Sequence, residues 1–234
     1  ADYGQERTVD LKMWYTASIP YNNKFISHLA SVYARYICSL RGRKKCLVLD
    51  LDNTLWGGTV GDLGPENISL DPSGDGRPFL QLQSLLKDWL AQGIVLAVSS
   101  KNNLNDAKEP FLIREEMILS LDDFVAFHAN WENKSSAIKK IVNQLGIGMD
   151  TVCFIDDSPH EREEATMMIP DLIVPDLPEN PEDRPAALLA TGLFLKPITN
   201  NDDTNRTSYY KNEAARDESK KSALTWEDYL SGLA

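Results

Sequence analysis

Two pairs of aspartates in the sequence each follow a short apolar run. Asp50 and Asp52 end the run "CLVLDLD", and Asp156 and Asp157 end the run "TVCFIDD". Carboxylates brought together raise one another's pKa unless a cation neutralises them. Oxygen ligands with no cysteine or histidine beside them favour Mg²⁺, which can also hold a phosphate. Either pair alone could be a turn or a helix cap, but two pairs on separate apolar runs predict a magnesium site.

Such a site needs strands whose carboxyl ends meet. Apolar runs of strand length occur in "CLVLDL", "IVLAVSS", "DDFVAFHANW" and "TVCFIDDSP", and "DLIVPDLP" predicts a short further strand. Helical patterns lie between them, over residues 79–90 before Gly93 and in "KSSAIKKIVNQLGI", which ends near Gly146. The alternation predicts an α/β fold with a doubly wound parallel sheet and a ligand crevice at the carboxyl ends of its strands. Ser99 and Ser100, which end the second run, are expected there.

The length of 234 residues suits one α/β domain with additions. We expect three parts along the chain. They are an N-terminal helical segment at residues 1–43, a catalytic core at 44–178, and a C-terminal helical extension at 179–234 that packs on the core. The first part contains an amphipathic helix over Asn23–Leu40, and the last a polar helix from about residue 204 to 221 followed by the apolar segment "LTWEDYLSGLA". The Gly/Pro-rich segment 57–76 predicts a small flap.

The net charge of −11 and the isoelectric point near 4.8 argue against partners that need concentrated Lys and Arg. We therefore expect neither nucleic acid nor a membrane as a partner. No apolar run approaches the roughly 18 residues of a membrane span, and no signal peptide is apparent. Cys38, Cys46 and Cys153 lack metal-ligand spacing and are expected to be reduced, which predicts a cytoplasmic location. Because the chain begins at Ala1, we expect an excised domain or a residual expression sequence.

The stretch "DLDNTLWGG" resembles the first motif of haloacid-dehalogenase-type phosphotransferases, Asp-x-Asp-x-Thr/Val. The resemblance implies that Asp50 attacks phosphorus to form an aspartyl phosphate, and that Asp52 protonates the leaving oxygen. It also implies that Asn53 and Thr54 bind substrate or phosphate. A carboxylate nucleophile beside Mg²⁺ is chemically sensible, because the ion screens the approach of one anion to another.

Later stretches extend this resemblance. Ser100 matches the hydroxyl that binds phosphate, and Lys134 matches the lysine that pairs with the phosphate and the nucleophile. Asp156 matches the metal-binding acidic motif. The implied Mg²⁺ ligands are then Asp50, Asp52, Asp156 and Asp157. Lys101 and Asn102 follow Ser100, where an oxygen of the substrate is expected to pass. The implied fold has a small flap in place of a large cap.

The wider pattern resembles the FkbH family of glyceryl transferase/phosphatase domains from polyketide assembly lines. The stretches that carry it are "VLDLDNTLWGG", "LAVSSKNN", "FHANWENKS", "CFIDDSPHEREEA", "PDLPENPE" and "TGLF", and the likeness covers most of the chain from residue 44 onward. It implies an enzyme that takes 1,3-bisphosphoglycerate, captures its acyl group as a thioester and removes the remaining phosphate. Such an enzyme then passes D-glyceryl to the phosphopantetheine thiol of an acyl carrier protein.

The sequence departs from that family at the residue implied to carry the acyl group. The family pattern reads Cys-Ser-Lys-Asn where this chain has Ser99, Ser100, Lys101 and Asn102. A serine hydroxyl lacks the nucleophilicity of a thiolate, and no histidine is obviously placed to activate it. Ser99 therefore predicts weak or absent acyl transfer. It is either the natural residue or a replacement of cysteine.

Two other functions fit the same residues. One is a stand-alone Mg²⁺-dependent phosphomonoesterase, including a phosphoprotein phosphatase, because the first motif and "DDSP" also resemble carboxyl-terminal-domain phosphatases. The other is a non-catalytic domain that recruits a carrier protein. Phosphate release that is lost in Asp50→Asn would separate both enzymes from the docking domain, and an adjacent carrier domain would favour the transferase.

Overall fold

A computed structural model describes residues 8–40, 44–194 and 206–212 of the chain. The strands are β1 (Cys46–Leu49), β2 (Val95–Ser100), β3 (Phe124–Ala129) and β4 (Val152–Ile155). The helices are α1 (Leu11–Ala17), α2 (Asn23–Leu40), α3 (Val60–Leu63), α4 (Arg77–Ala91), α5 (Leu104–Ile113), α6 (Lys134–Leu145), α7 (Pro159–Met168) and α8 (Arg184–Thr191). Within those described ranges, no helix is both long and apolar enough to cross a membrane.

The four strands of the described residues form one parallel sheet in the order β3-β2-β1-β4. Every residue of β1, β2 and β4 is buried, which is why these strands are apolar throughout rather than alternating. β1 lies between β2 and β4, so its carboxyl end has a neighbouring strand on each side.

Helices cover both faces of the sheet. Leu47 and Leu49 of β1 face a cluster that includes residues of α4, α5 and α8. Cys46 and Val48 of the same strand face a second cluster, which includes residues of α6 and α7. Because side chains alternate along a strand, the two clusters lie on opposite faces. This arrangement confirms the predicted doubly wound parallel sheet.

A small flap lies between β1 and α4, as predicted, and contains the short helix α3. Gly57 and Ser69 join its ends through two backbone hydrogen bonds of 3.0 and 2.8 Å. A Cβ atom at Gly57 would lie 2.9 Å from the Phe79 ring and 2.9 Å from the Ser69 Cβ. Only glycine therefore fits at the base of the flap. Gly58 has a φ of 94°, which also favours glycine.

Three elements differ from the sequence-based expectation. Helices α5 and α7 were not predicted: α5 contains Pro110 in its interior, and α7 buries only Ala165, so neither has a clear apolar stripe. The predicted further strand in "DLIVPDLP" is reduced to one parallel bridge between Cys153 and Ile173. Proline lacks a backbone N–H, and Pro175 lies inside this segment, two residues after Ile173.

The structure describes parts of both terminal segments. Helix α2 has the predicted bounds, and α8 packs on the core through Leu188. The Phe194 ring lies 4.4 Å from the Trp89 ring. Residues 206–212 are helical. The rest of the helix expected at 204–221, and the segment "LTWEDYLSGLA", lie outside the described residues, and the three-part division of the chain stays a prediction.

Candidate functional site

The carboxyl ends of three neighbouring strands place predicted site residues in one row. Leu49 on β1 pairs with Val98 on β2 and with Ile155 on β4. The next residues along β2, β1 and β4 are Ser99, Asp50 and Asp156. The backbone N–H of Asp50 donates to the carbonyl oxygen of Ile155 (3.0 Å), which keeps this row in register. Neighbouring strands lie about 4.8 Å apart, and aligned residues of parallel strands point to the same face, so the row puts Ser99 on the strand next to Asp50.

Three carboxylates and one ammonium group form the centre of the site. Asp50, Asp156 and Asp157 each offer an oxygen atom, and these oxygens lie within 4.8 Å of one another. The Nζ of Lys134 is 2.9 Å from Oδ1 of Asp50 and also donates to Oδ2 of Asp156. Lys134, Asp50 and Asp156 are all buried. The structure therefore brings together four of the predicted site residues from three distant parts of the chain.

Helix α6 fixes the position of the ammonium group. Lys134 is its first residue and follows Asn133, whose extended backbone begins the helix. The Lys134 Nζ also lies 6.0 Å from the centre of the Phe154 ring on β4. The stem of the lysine is thereby buried against the sheet while its charge reaches the carboxylates.

The charges of this cluster do not balance. The pKa of Asp156 is raised to about 7, chiefly by burial and next by the Asp50 carboxylate, while Lys134 opposes the rise. Burial and Asp50 also raise the pKa of Asp157, against the opposing charge of Arg184. Burial acts to lower the pKa of Lys134, but Asp50 and Asp156 raise it above its usual value. Three carboxylates facing one ammonium group are a suitable site for a divalent cation.

The side chain of Asp52 is not in the group of three carboxylates and is held by separate hydrogen bonds. Its Oδ1 accepts from the Trp56 indole N–H (2.8 Å) and from the backbone N–H of Val60 (3.0 Å). Its Oδ2 accepts from Nδ2 of Asn102 (2.8 Å). Asp52 therefore joins the flap, through Val60, to the loop that follows β2. Its roles as a metal ligand and as a general acid and base stay predictions.

Asn53 and Thr54 hold the turn that follows β1. Asn53 has a φ of 52°, and its Oδ1 accepts from the backbone N–H of Gly58 (2.8 Å). The Thr54 hydroxyl accepts from the backbone N–H of Asp157 (3.2 Å), which links the first aspartate motif to the second. Arg184 donates to the carbonyl oxygen of Asn53 (2.5 Å). Through these contacts Asn53 and Thr54 stabilise the turn after β1. The binding of substrate or phosphate by the two residues stays a prediction.

Ser99 and Ser100 end β2 on opposite faces of the sheet. Ser99 is 1% exposed, and its Oγ has no hydrogen-bond partner among the residues that the structure describes. Its partner on β3 is His128, whose pKa is lowered mainly by burial. The His128 imidazole therefore lies on the strand next to Ser99, a neighbour for which the sequence carries no signal. Ser100 is also buried, and its carbonyl oxygen accepts from the backbone N–H of Asn130 (3.1 Å).

The loop after β2 carries Lys101 next to Asn102. The Lys101 Nζ lies 2.5 Å from Oε1 of Glu161, in the first turn of α7. Neither Glu161 nor Arg184 was expected at the site. Both lie in charged stretches, "SPHEREEA" and "PEDRP", whose only signal was a proline at the start of a helix.

Comparison with known proteins identifies a similar solved structure. It is the N-terminal part of the protein BF1531 from Bacteroides fragilis, which contains a phosphatase domain complexed with Mg. The two chains are 41% identical with a TM-score of 0.73, and the match covers 83% of this chain and 52% of that one. No protein-family model matches the chain, and no curated protein matches it. The likeness supports a haloacid-dehalogenase-like phosphatase fold, and this chain spans about half the length of the chain it matches.

Proposed function

We propose that this protein is a Mg²⁺-dependent phosphatase that acts on a phosphomonoester. The observation that carries the proposal is the meeting of Asp50, Asp156 and Asp157 around Lys134 at the carboxyl ends of β1 and β4. The likeness to a phosphatase domain complexed with Mg supports it. A docking domain without catalysis would have no need for three buried or half-buried carboxylates beside one lysine, because burying charge is costly.

The residues that would hold Mg²⁺ are Asp50, Asp156 and Asp157. Their oxygens fit a hard cation. The pKa of Asp156 is raised first by burial and next by the Asp50 carboxylate, and the single ammonium group does not offset the two. When bound, Mg²⁺ neutralises the carboxylates and stabilises charge on the phosphoryl oxygens. The Asp52 side chain is not among these proposed ligands.

The chemistry then divides between the two aspartates of the first motif. A carboxylate oxygen of Asp50 attacks phosphorus, and the bond from phosphorus to the leaving oxygen breaks. Asp52, held by Trp56 and Asn102, donates a proton to that oxygen. Water then attacks the aspartyl phosphate, with Asp52 accepting its proton, and releases inorganic phosphate. Lys134 balances charge on Asp50 and on the phosphoryl group throughout.

Phosphate release is expected to require Mg²⁺ and to stop when the ion is chelated. Without a bound cation the pKa of Asp156 is about 7, and this carboxyl group must lose its proton before it can act as a ligand. The affinity for Mg²⁺ is therefore expected to rise about tenfold from about pH 6 to about pH 8, because the proton leaves over this interval. Isothermal titration calorimetry with Mg²⁺ at the two pH values measures this change.

Asp156→Asn is the control for this prediction. The amide has no proton to lose, so the variant should bind Mg²⁺ more weakly and with little dependence on pH in this interval. Phosphate release that continues in excess chelator would contradict the proposed function. An affinity of the unmodified protein that is equal at both pH values would contradict the role of Asp156.

We further propose that the substrate is the 3-phosphoglyceryl unit of 1,3-bisphosphoglycerate, and that the partner is an acyl carrier protein in the cytoplasm. The support is the FkbH-like sequence pattern together with the row in which Ser99 stands beside Asp50. At about 4.8 Å between strands, the two positions are close enough for one small substrate to span them. The second candidate, a stand-alone phosphomonoesterase, is favoured by Ser99 itself, because a buried serine is a poor acyl acceptor.

A thiol at position 99 is expected to restore covalent capture of the acyl group. In Ser99→Cys incubated with Mg²⁺ and freshly generated 1,3-bisphosphoglycerate, the cysteine thiolate attacks the acyl carbon and displaces the 1-phosphate. Intact mass spectrometry should then detect a phosphoglyceryl or glyceryl adduct, expected in at least about half of the protein because a thiolate is a far better nucleophile than a hydroxyl. Addition of an acyl carrier protein should remove the adduct.

Cys46 and Cys153 serve as internal controls in this experiment. Both thiols are free and buried, and burial raises the pKa of Cys46 to about 12 and also raises that of Cys153. These two thiols should stay unmodified. The unmodified chain, which carries Ser99 and the same three cysteines, is the control that shows whether an adduct depends on the thiol at position 99. If the Ser99→Cys protein forms no adduct but still releases phosphate in a Mg²⁺-dependent manner, the proposed transferase function is contradicted and the phosphatase function is retained.

A further inference from the structure

Residues 8–40, which contain α1 and α2, expose much of the apolar surface of this protein. Eleven of the twenty-one large apolar residues that are exposed in the described part of the chain lie in this segment. Tyr15 is 82% exposed, Tyr33 59% and Ile37 49%. No residue in 8–34 is buried, and neither are the residues at positions 36 and 37. Single exposed apolar residues are ordinary, but a concentration of this kind marks a surface that binds another surface.

The two helices form one unit, the N-terminal hairpin (residues 8–40). The backbone N–H of Asp10 donates to the carbonyl oxygen of Pro20 (3.1 Å), and the backbone N–H of Asn22 donates to the carbonyl oxygen of Thr8 (3.0 Å). The residues before α1 and before α2 are therefore joined by backbone hydrogen bonds. The hairpin presents the apolar residues of α2 on a fixed support.

Four positions of α2 form an exposed apolar seam. Ile26, Ala30, Tyr33 and Ile37 follow one another at steps of four, three and four residues, which places them on one face of the helix. This is the spacing at which two helices pack along their length. All four residues are exposed. An amphipathic helix gains most of its stability from packing of its apolar face, so the seam needs a second surface.

The seam is complementary to itself. If two copies of α2 lie antiparallel and cross between residues 31 and 32, Ile26 of one copy faces Ile37 of the other, and Ala30 of one copy faces Tyr33 of the other. Each large tyrosine then lies opposite a small alanine, and none of the four positions carries a charge. A twofold axis repeats each of these contacts, as in most homodimers.

The charge and the area of the N-terminal hairpin also suit a second copy. The hairpin contains three cations, Lys12, Lys24 and Arg35, and one carboxylate, Asp10, whereas the whole chain has a net charge of −11. Two copies therefore repel each other less here than through an acidic face. With about 200 Å² for a fully exposed large side chain, the eleven exposed residues offer roughly 1,000 Å², and a standard interface buries about 800 Å² on each partner.

We propose that the exposed seam of α2 is the contact surface between two copies of this chain, which pair antiparallel about a twofold axis. The proposal goes beyond the phosphatase function and does not depend on it. Helix α2 leads into the amino end of β1, whereas the clustered carboxylates lie at the carboxyl ends of the strands. Pairing through α2 therefore uses no residue of either site.

The mass of the protein in solution tests the contact. Size-exclusion chromatography with light scattering should find the unmodified protein, at micromolar concentration, at twice the mass of the 26.2 kDa chain. Tyr33→Asp/Ile37→Asp places two carboxylates of each copy in the contact, so the dissociation constant of the dimer should rise at least about 100-fold. Phosphate release by this variant should stay within about twofold of the unmodified protein, because neither residue belongs to the site.

Leu112→Asp/Ile113→Asp is the matched control. These two residues at the end of α5 are 72% and 44% exposed, which resembles the exposure of Tyr33 and Ile37. The control adds the same charge to another exposed apolar pair and should stay a dimer.

Disulfide formation tests the antiparallel direction. Ile26→Cys and Ile37→Cys, each combined with Cys38→Ser, are mixed in equal amounts and oxidised. An antiparallel pair brings position 26 of one copy next to position 37 of the other. Peptide mass spectrometry should therefore find the mixed disulfide at least about fivefold above either self-disulfide.

A monomeric unmodified protein would overturn the proposed contact. A dimer that persists in Tyr33→Asp/Ile37→Asp, or that is lost in the control, would overturn it as well. Self-disulfides in excess of the mixed disulfide would overturn the antiparallel arrangement. A dimer that releases no phosphate with Mg²⁺ would contradict the phosphatase function and uphold the contact.

Discussion

Replacing Asp50 by asparagine should abolish phosphate release while the fold is retained. The amide keeps the shape of the side chain but cannot attack phosphorus, so the rate is expected to fall at least about 10⁴-fold. The metal-free variant should be no less stable than the unmodified protein, because one of the mutually repelling carboxylates beside Asp156 is gone. Phosphate release at saturating Mg²⁺ and urea unfolding in excess chelator measure the two effects.

The comparison of activity with stability makes this result specific. A variant that loses activity because it unfolds would have a lower urea midpoint, whereas the loss of a nucleophile leaves the midpoint unchanged or raises it. Asp50→Glu is a useful second variant, because it keeps the charge and moves the carboxylate by one methylene group. Activity of Asp50→Asn within tenfold of the unmodified protein would rule out a covalent role for Asp50.

Replacing Lys134 by alanine should damage both stability and activity. Its ammonium group contacts Asp50 at 2.9 Å and also Asp156, and all three side chains are buried. Removing one partner of a buried ion pair leaves uncompensated charge, at a cost of about 3–5 kcal/mol in the free energy of unfolding. Phosphate release should fall at least about 10²-fold, because a preorganised charge at the phosphoryl site is lost. Urea unfolding and phosphate release measure both.

Measuring the stability of Lys134→Ala with and without Mg²⁺ shows whether the variant is destabilised by repulsion between carboxylates or by the loss of packing contacts of Lys134. If the Lys134→Ala variant is unstable because carboxylates repel one another, saturating Mg²⁺ should recover much of the lost stability. Lys140→Ala is the control on the same helix, since its side chain is 53% exposed and its pair with Glu132 lies at the surface. The control should change the free energy of unfolding by less than about 0.5 kcal/mol. Equal losses in the two variants would contradict the central role of Lys134.

Local sequence patterns were sufficient to predict the strands and the helix that carry the site residues. Continuous apolar runs predicted β1, β2 and β4 because strands buried on both faces need apolar residues at every position. The apolar periodicity of α2 and α6 predicted these helices, and glycine at position 146 predicted the end of α6. Helices α5 and α7 were missed because neither has an apolar stripe that a single sequence reveals.

The sequence by itself determined which residue types were available for metal and phosphate chemistry, and that parallel strands would deliver them to one edge. Only the tertiary structure decided which of them meet. Strand register aligned Asp50 with Ser99 and Asp156, whereas hydrogen bonds to Trp56 and Asn102 drew the Asp52 side chain away from the other carboxylates. The pairing of Lys101 with Glu161 across β1 has no local signal either. Such contacts depend on strand order and on loop paths, which join residues far apart in the chain.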